Sequence, residues 1–221
     1  MGTLGSRLER FIADCAAKAY TEPQEAIVHH HAPISRTAWE RVRHFLQPTE
    51  GKTVLDIGCA DGFAMRMFME EGFAEATGIT CSREDAHEAN ERGMRNVCVL
   101  DMHELNDLTI ASRHDPFDAV CPDLDLVWAR HVLEHSPIPL FVLQEIHSIL
   151  RPGTGKLYVE VPDPATACHH CANVQHFSCF GREGWESLFD KAGFTPLDSF
   201  VFNVQVKAGD DRYFAWLLGL K

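Results

Sequence analysis

Leu8, Phe11, Ile12, Cys15 and Ala19 recur at the three-and-four spacing of one helical face, so the chain opens on an amphipathic helix that ends before Pro23. Ser6 and Glu9 have capping-box spacing at its start. Residues 21–34, TEPQEAIVHHHAPI, show no period, and they read as a loop in which His29, His30 and His31 are solvated. Trp39, Val42, Phe45 and Leu46 form a second apolar face, with Thr37 and Glu40 as its capping box and Pro48 as its stop.

From Lys52 the pattern changes to short apolar runs separated by helical stretches. Strands are predicted over 53–57, 75–80, 96–100, 125–130, 155–161, 197–206 and 211–218, with helices over 63–71, 82–92, 131–150 and 182–192. Strands apolar on both sides and alternating with helices predict an α/β fold: a seven-stranded, mostly parallel sheet with helices on both faces. Only residues 207–211 join the last two strands, so the sheet should end in an antiparallel hairpin.

With 221 residues, 45% of them hydrophobic, the chain can close one sizeable core. Its net charge of −12 opposes the phosphate neutralisation on which nucleic-acid affinity rests, so nucleic acid is not an expected partner. No apolar run approaches the roughly 20 residues of a membrane helix, and the N-terminus lacks a secretory apolar core, so no membrane partner is expected. The eight cysteines fit the reduced thiols of a cytoplasmic protein, and only Cys168, Cys171 and Cys179 are clustered. Oligomeric state leaves no mark in the sequence.

Candidate chemistry begins at VLDIGCADG (54–62), where a strand runs through a glycine turn into a helix. Two acids, Asp56 and Asp61, occupy the place where a dinucleotide's pyrophosphate needs N–H groups and positive potential, so the turn suits a cationic ligand. The acid that would hold an NAD ribose at the end of the second strand is also missing, since Thr80 stands there.

Taken together, VLDIGCADG, GITCS, VLDMHEL and VWARHVLEH followed by LRPGTGKLYVEVP resemble the ordered motifs of class I S-adenosylmethionine-dependent methyltransferases of the small-molecule type, from about residue 37 to 220. The resemblance implies a single Rossmann-like domain with an N-terminal helical lid over 1–48, a core over 49–221 and an active-site loop over 162–181. It implies S-adenosylmethionine as cofactor and S-adenosylhomocysteine as product. Asp56, Gly58, Cys59, Ala60 and Gly62 would contact the methionine part, and Asp101 and Met102 the adenine. Ala60 stands where the family usually has glycine, and Thr80 where it has the ribose acid; Thr80, Cys81 and Glu84 would then supply the ribose contacts. The expected reaction is methyl transfer to a small-molecule acceptor, an oxygen nucleophile for preference, with a protein or nucleic-acid acceptor, or a zinc-stabilised non-catalytic binding module, as alternatives.

His131, Glu134 and His135 would share one face of a helix beginning after the fourth strand, beside the cofactor. HVLEH is similar to the E-x-x-E-H with which ubiquinone-pathway O-methyltransferases hold a divalent cation, but cofactor contact by Arg130 and His131, through backbone or side chain, is the preferred reading of this stretch. In the loop CHHCANVQHFSC (168–179), His176 matches a substrate-facing histidine of small-molecule methyltransferases, and His176, His135 and His131 are candidate bases for a hydroxyl. Cys168, Cys171, His176 and Cys179 also have the donor types of a zinc site.

Overall fold

Thr53–Ile57, rich in β-branched and aliphatic residues, forms β1, and the computed structural model builds a sheet outward from it on both sides. The structure describes residues 4–19, 28–107, 110–111, 119–120, 123–206 and 208–221. In chain order the further strands are β2 (Glu75–Thr80), β3 (Val97–Val99), β4 (Ile110–Ala111), β5 (Ala119–Val120), β6 (Leu126–Arg130), β7 (Lys156–Pro162), β8 (Phe194–Val206) and β9 (Gly209–Leu220). Seven of them form one sheet in the order β3-β2-β1-β6-β7-β9-β8, while β4 and β5 pair separately as a small antiparallel ladder that the hydrophobic pattern does not reveal. β3, β2, β1, β6 and β7 run parallel, and β9 runs antiparallel to both β7 and β8, as the short 207–211 connection predicts.

Alternate residues of the central strands feed two apolar layers. Val127 and Ala129 of β6 join Leu55, Ile57, Leu143, Ile146, Trp185 and Trp216 on one face. Leu126 and Trp128 join Val54, Trp39, Phe68 and Tyr158 on the other. Trp128 stacks on Tyr158 at 3.8 Å between centroids, and Trp39 meets Phe68 and Phe73 edge-on at 5.4 and 5.6 Å.

The helices are α1 (Leu4–Ala19), α2 (Val28–Val42), α3 (Phe63–Glu70), α4 (Arg83–Glu91), α5 (Pro139–Ile149) and α6 (Arg182–Lys191). α1 begins before Ser6, which therefore lies inside the helix rather than at its cap. α2 begins within the segment that reads as a loop, so the backbone of His29–His31 is helical, while residues 20–27 lie outside the described residues. Thr37 Oγ1 donates to the Pro33 carbonyl at 2.9 Å, four residues back, and is no cap either. The helix expected over 131–150 is broken: His131 is left-handed at φ 51°, a 3-10 turn follows at Leu133–His135, and α5 starts only at Pro139. Among the described residues no helix is long and apolar enough to cross a membrane.

Candidate active site

The sheet order reverses between β1 and β6, and in such a sheet the crevice beyond the strand ends at the reversal is the natural ligand site. Ile57 lies beside Ala129 in register, so the turn after β1 and the segment after β6 emerge as neighbours. The first turn is held back onto β2 by the Gly58 and Cys59 N–H groups, which donate to the Ile79 carbonyl at 2.9 and 3.0 Å. The seat is tight: a Cβ on Gly78 would lie 2.5 Å from Met65 Sδ and 2.7 Å from Cys59 Sγ.

Asp56 ends up 5% exposed, and among the described residues its carboxylate has neither a hydrogen bond nor an ion pair. Burial raises it to about 8, which Arg130 opposes and Asp61 reinforces. Asp61, expected from sequence to face the ligand, is instead neutralised by Arg66 and Arg92, and its Oδ1 accepts from Phe63 N at 3.0 Å at the start of α3. A buried carboxylate without a hydrogen bond among the described residues, beside a glycine turn, fits the ammonium and sulfonium of S-adenosylmethionine, and it fits a phosphate badly. Ala60 takes φ 44°, a conformation that glycine adopts without strain. Ala60→Gly is therefore expected to stabilise the protein by about 0.5–1 kcal/mol and to leave more room for the ligand, both readable from thermal melts with and without S-adenosylhomocysteine.

At the end of β2, where Thr80 stands, a carboxylate comes in from the next helix. Thr80 Oγ1 lies 3.4 Å from Asp85 Oδ2, and the Asp85 N–H donates to the capping hydroxyl of Ser82 at 3.0 Å. Asp85 is raised by burial, and its charge adds to the burial that raises the Cys59 thiol. Glu84 takes the Ser82 hydroxyl at 3.3 Å, and Cys81 Sγ lies 3.9 Å from Asp101 Oδ2. Asp101 accepts from the His103 N–H at 2.9 Å and from its ring, whose other nitrogen lies 2.8 Å from Ser136 Oγ; Met102 is buried beside it. The acid expected at the adenine is thereby linked to the segment after β6.

That segment is organised by Glu160 of β7, which the sequence motifs do not single out. It is 0% exposed, receives Arg130 Nη2 at 2.6 Å and Tyr158 Oη at 2.8 Å, and lies 3.0 Å from His131 Nε2. Burial alone would raise Glu160, but Arg130 and His131 hold it at about 2. Arg130 also donates to Ser35 Oγ of α2 at 2.6 Å, and His131 packs edge-on against Tyr213 at 4.3 Å. Because His131 is left-handed, His131, Glu134 and His135 do not share a helical face as expected. His131 instead turns toward Glu160 and keeps Glu134 Oε1 at 3.5 Å from Nδ1.

The loop after β7 folds down onto this segment. Ser178 N donates to the Glu134 carbonyl at 3.0 Å, Ser178 Oγ to the Ser136 carbonyl at 2.7 Å, and His135 Nδ1 to the Gln175 carbonyl at 2.9 Å. His176 arrives with its ring 4.9 Å from that of His135, and burial pushes it down to about 4, so the imidazole is neutral. The expected zinc set does not assemble: no three of Cys168, Cys171, His176 and Cys179 bring their donor atoms within 4.8 Å of one another. Cys168 groups with His170 and Asp211, His176 groups with Glu134 and His135, and Cys171 lies against Cys179. Ligand spacing along the chain carries no information on which way a 3-10 turn at His170–Ala172 points each side chain.

Comparison with known proteins agrees with this architecture. The family described as "Methyltransferase domain" matches residues 28–199. The chain is 29% identical over 132 residues to the 27-O-demethylrifamycin SV methyltransferase of Amycolatopsis mediterranei, covering 57% of this chain and 46% of that one. It is 32% identical over 129 residues to a tRNA U34 carboxymethyltransferase of Shewanella denitrificans, covering 55% and 35%. The chain thus spans less than half the length of these curated relatives. In fold it is similar to the 1,6-didemethyltoxoflavin-N1-methyltransferase of Burkholderia thailandensis, solved with S-adenosylhomocysteine, at a TM-score of 0.67 and 19% identity over 100% of this chain and 92% of that one. With the family matched over most of its length and the strand order, glycine turn and partnerless Asp56 in place, the chain belongs to the methyltransferase domain family, of the class I S-adenosylmethionine-dependent kind.

Proposed function

We propose that the protein is a cytoplasmic enzyme that methylates an oxygen nucleophile on a small molecule, with S-adenosylmethionine as donor. One observation carries the reading: at the reversal between β1 and β6, β1 bears the buried Asp56, whose carboxylate has no hydrogen bond among the described residues, and the segment after β6 bears His135, beside the ring of His176. When bound, the cofactor supplies a methyl group made electrophilic by its sulfonium. Asp56 neutralises that end of it, while the backbone of Gly58, Cys59, Ala60 and Gly62 lines the methionine part. Thr80, Cys81 and Asp85 hold the ribose, and Asp101 and Met102 the adenine. Arg130 and His131, locked by Glu160, set the position of the segment after β6. On the acceptor side, His176 would take the proton of the acceptor hydroxyl, and His135 and Glu134 would orient the acceptor. Loop 162–181 roofs the pocket, and helices α1 and α2 serve as its lid.

The net charge of −12 favours a small acceptor over tRNA, and seven free cysteines among the described residues suit a reducing compartment. Calorimetry should give saturable binding of S-adenosylhomocysteine, and labelled S-adenosylmethionine should transfer its methyl group to members of a panel of phenols and hydroxy acids. His176→Ala should lower transfer on the order of 100-fold with the S-adenosylhomocysteine Kd unchanged. No binding of either cofactor form at millimolar concentration would refute the assignment.

A further inference from the structure

We propose that Glu134, His135 and His176 form a binding site for one divalent cation of the zinc and iron(II) class, with its remaining coordination positions turned toward the acceptor. An oxygen of Glu134 and one ring nitrogen each of His135 and His176 all lie within 4.8 Å of one another. Their bonding capacity is unmet among the described residues. Glu134 Oε2 and His176 Nδ1 are fully buried without a hydrogen-bond partner, and Glu134 as a residue is only 2% exposed. His135 Nδ1 donates to the Gln175 carbonyl at 2.9 Å, so Nε2 is the ring nitrogen open to a metal.

A carboxylate and two imidazoles therefore converge, with Glu134 Oε2 and His176 Nδ1 left unpartnered among the described residues. A single cation can take a lone pair from each of the three groups at once. Two imidazoles and one carboxylate suit zinc, cobalt or iron(II) better than magnesium or calcium. The outer contacts that such ligands need are present: Gln175 orients His135, and His131 holds the other oxygen of Glu134 at 3.5 Å while itself tied to Glu160. The neighbouring trio of Cys168, His170 and Asp211 differs in being internally satisfied. Asp211 already accepts from Thr166 at 2.9 Å and from Arg212 N at 2.8 Å and meets His170 at 2.9 Å, so its carboxylate is not left wanting.

The site deepens the methyl-transfer reading, on which it rests: with a cation bound, His176 serves as a ligand instead of the base, and the acceptor is restricted to groups with an oxygen able to ligate the metal and so lose its proton more readily. Its occupancy is testable without turnover. Chelator-treated protein is titrated with cobalt(II), followed by visible absorption, and then with zinc in competition. One equivalent of cobalt is expected, with a spectrum lacking thiolate-to-metal charge transfer. Glu134→Gln and His176→Ala should each weaken binding by more than the roughly 10- to 100-fold that loss of an outer contact costs. Cys168→Ser and Cys171→Ser should leave the Kd unchanged. A thiolate band, or loss of binding in the cysteine variants, would reassign the metal to the cysteines and overturn the proposal. Absence of stoichiometric binding by the unmodified protein would overturn it too, and normal S-adenosylhomocysteine affinity in that sample would leave the methyl-transfer reading standing. His176 lies on a loop, so its variant tests the ligand without disturbing the sheet.

Discussion

Asp56→Asn is expected to weaken S-adenosylmethionine binding by roughly 100-fold or more while making the ligand-free protein more stable above neutral pH. Both effects come from one buried carboxylate. In the folded, ligand-free chain burial raises Asp56 from 3.8 to about 8, so between those values the native state binds more protons than the unfolded state. Stability therefore falls as pH rises through that window and levels off above about 8. Asparagine removes the charge and keeps the shape. Each tenfold change in proton affinity is worth about 1.4 kcal/mol, so even half the window gives on the order of 2–3 kcal/mol, or roughly 4–12 °C in Tm near pH 9. The check is a pair of melts, at about pH 5 and pH 9, alongside calorimetry. The gain should appear at the higher pH and be small at the lower. A variant that is less stable at both, or that binds the cofactor as tightly as the parent, would remove Asp56 from the cofactor site.

Glu160→Ala should be the most damaging single substitution in the crevice. It strips Arg130, His131 and Tyr158 of their common partner at a fully buried position. Breaking a buried pair from one side leaves an uncompensated charge, so about 3–5 kcal/mol should be lost, equivalent to roughly 10 °C or more in Tm. Methyl transfer should fall with it, because the segment that bears Glu134 and His135 loses its anchor. Glu160→Gln keeps an oxygen for Tyr158 and should be milder. The acid branch separates charge from shape. Glu160 is depressed from 4.5 to about 2, so it contributes stability that is present above 4.5 and is lost as pH falls through about 2. In Glu160→Gln that acid-dependent loss should be absent, and melts from about pH 5 to pH 2 should be flatter than those of the parent. Equal acid sensitivity in both proteins would show that the charge at Glu160 does not support the fold.

Much of the cofactor side is legible in the sequence, because it depends on local order. A strand, a glycine turn and a helix come in succession, and parallel strands buried on both faces show as apolar runs whichever helices cover them. The two acids of the turn are legible as residues but not as roles: Arg66 and Arg92, from two different elements, take Asp61 and leave Asp56 alone. Asp85 is hidden for a similar reason. It sits in the first turn of a capped helix, which explains it locally, and only the fold turns its carboxylate toward Thr80.

Hydrophobic period and connection length act over a few residues, so the α/β class, the seven strands and the antiparallel ending can all be read from the chain alone. Which side chains meet is settled instead by packing in three dimensions. The i, i+3, i+4 spacing of His131, Glu134 and His135 promises a shared helical face, but a left-handed His131 sends that ring to Glu160 and brings His176 from the loop after β7 to take its place. The four donors of the cysteine-rich loop part for the same reason. Spacing along a chain predicts proximity only while the backbone is regular, and in turns and loops the dihedral angles, fixed by packing from distant elements, choose the partner.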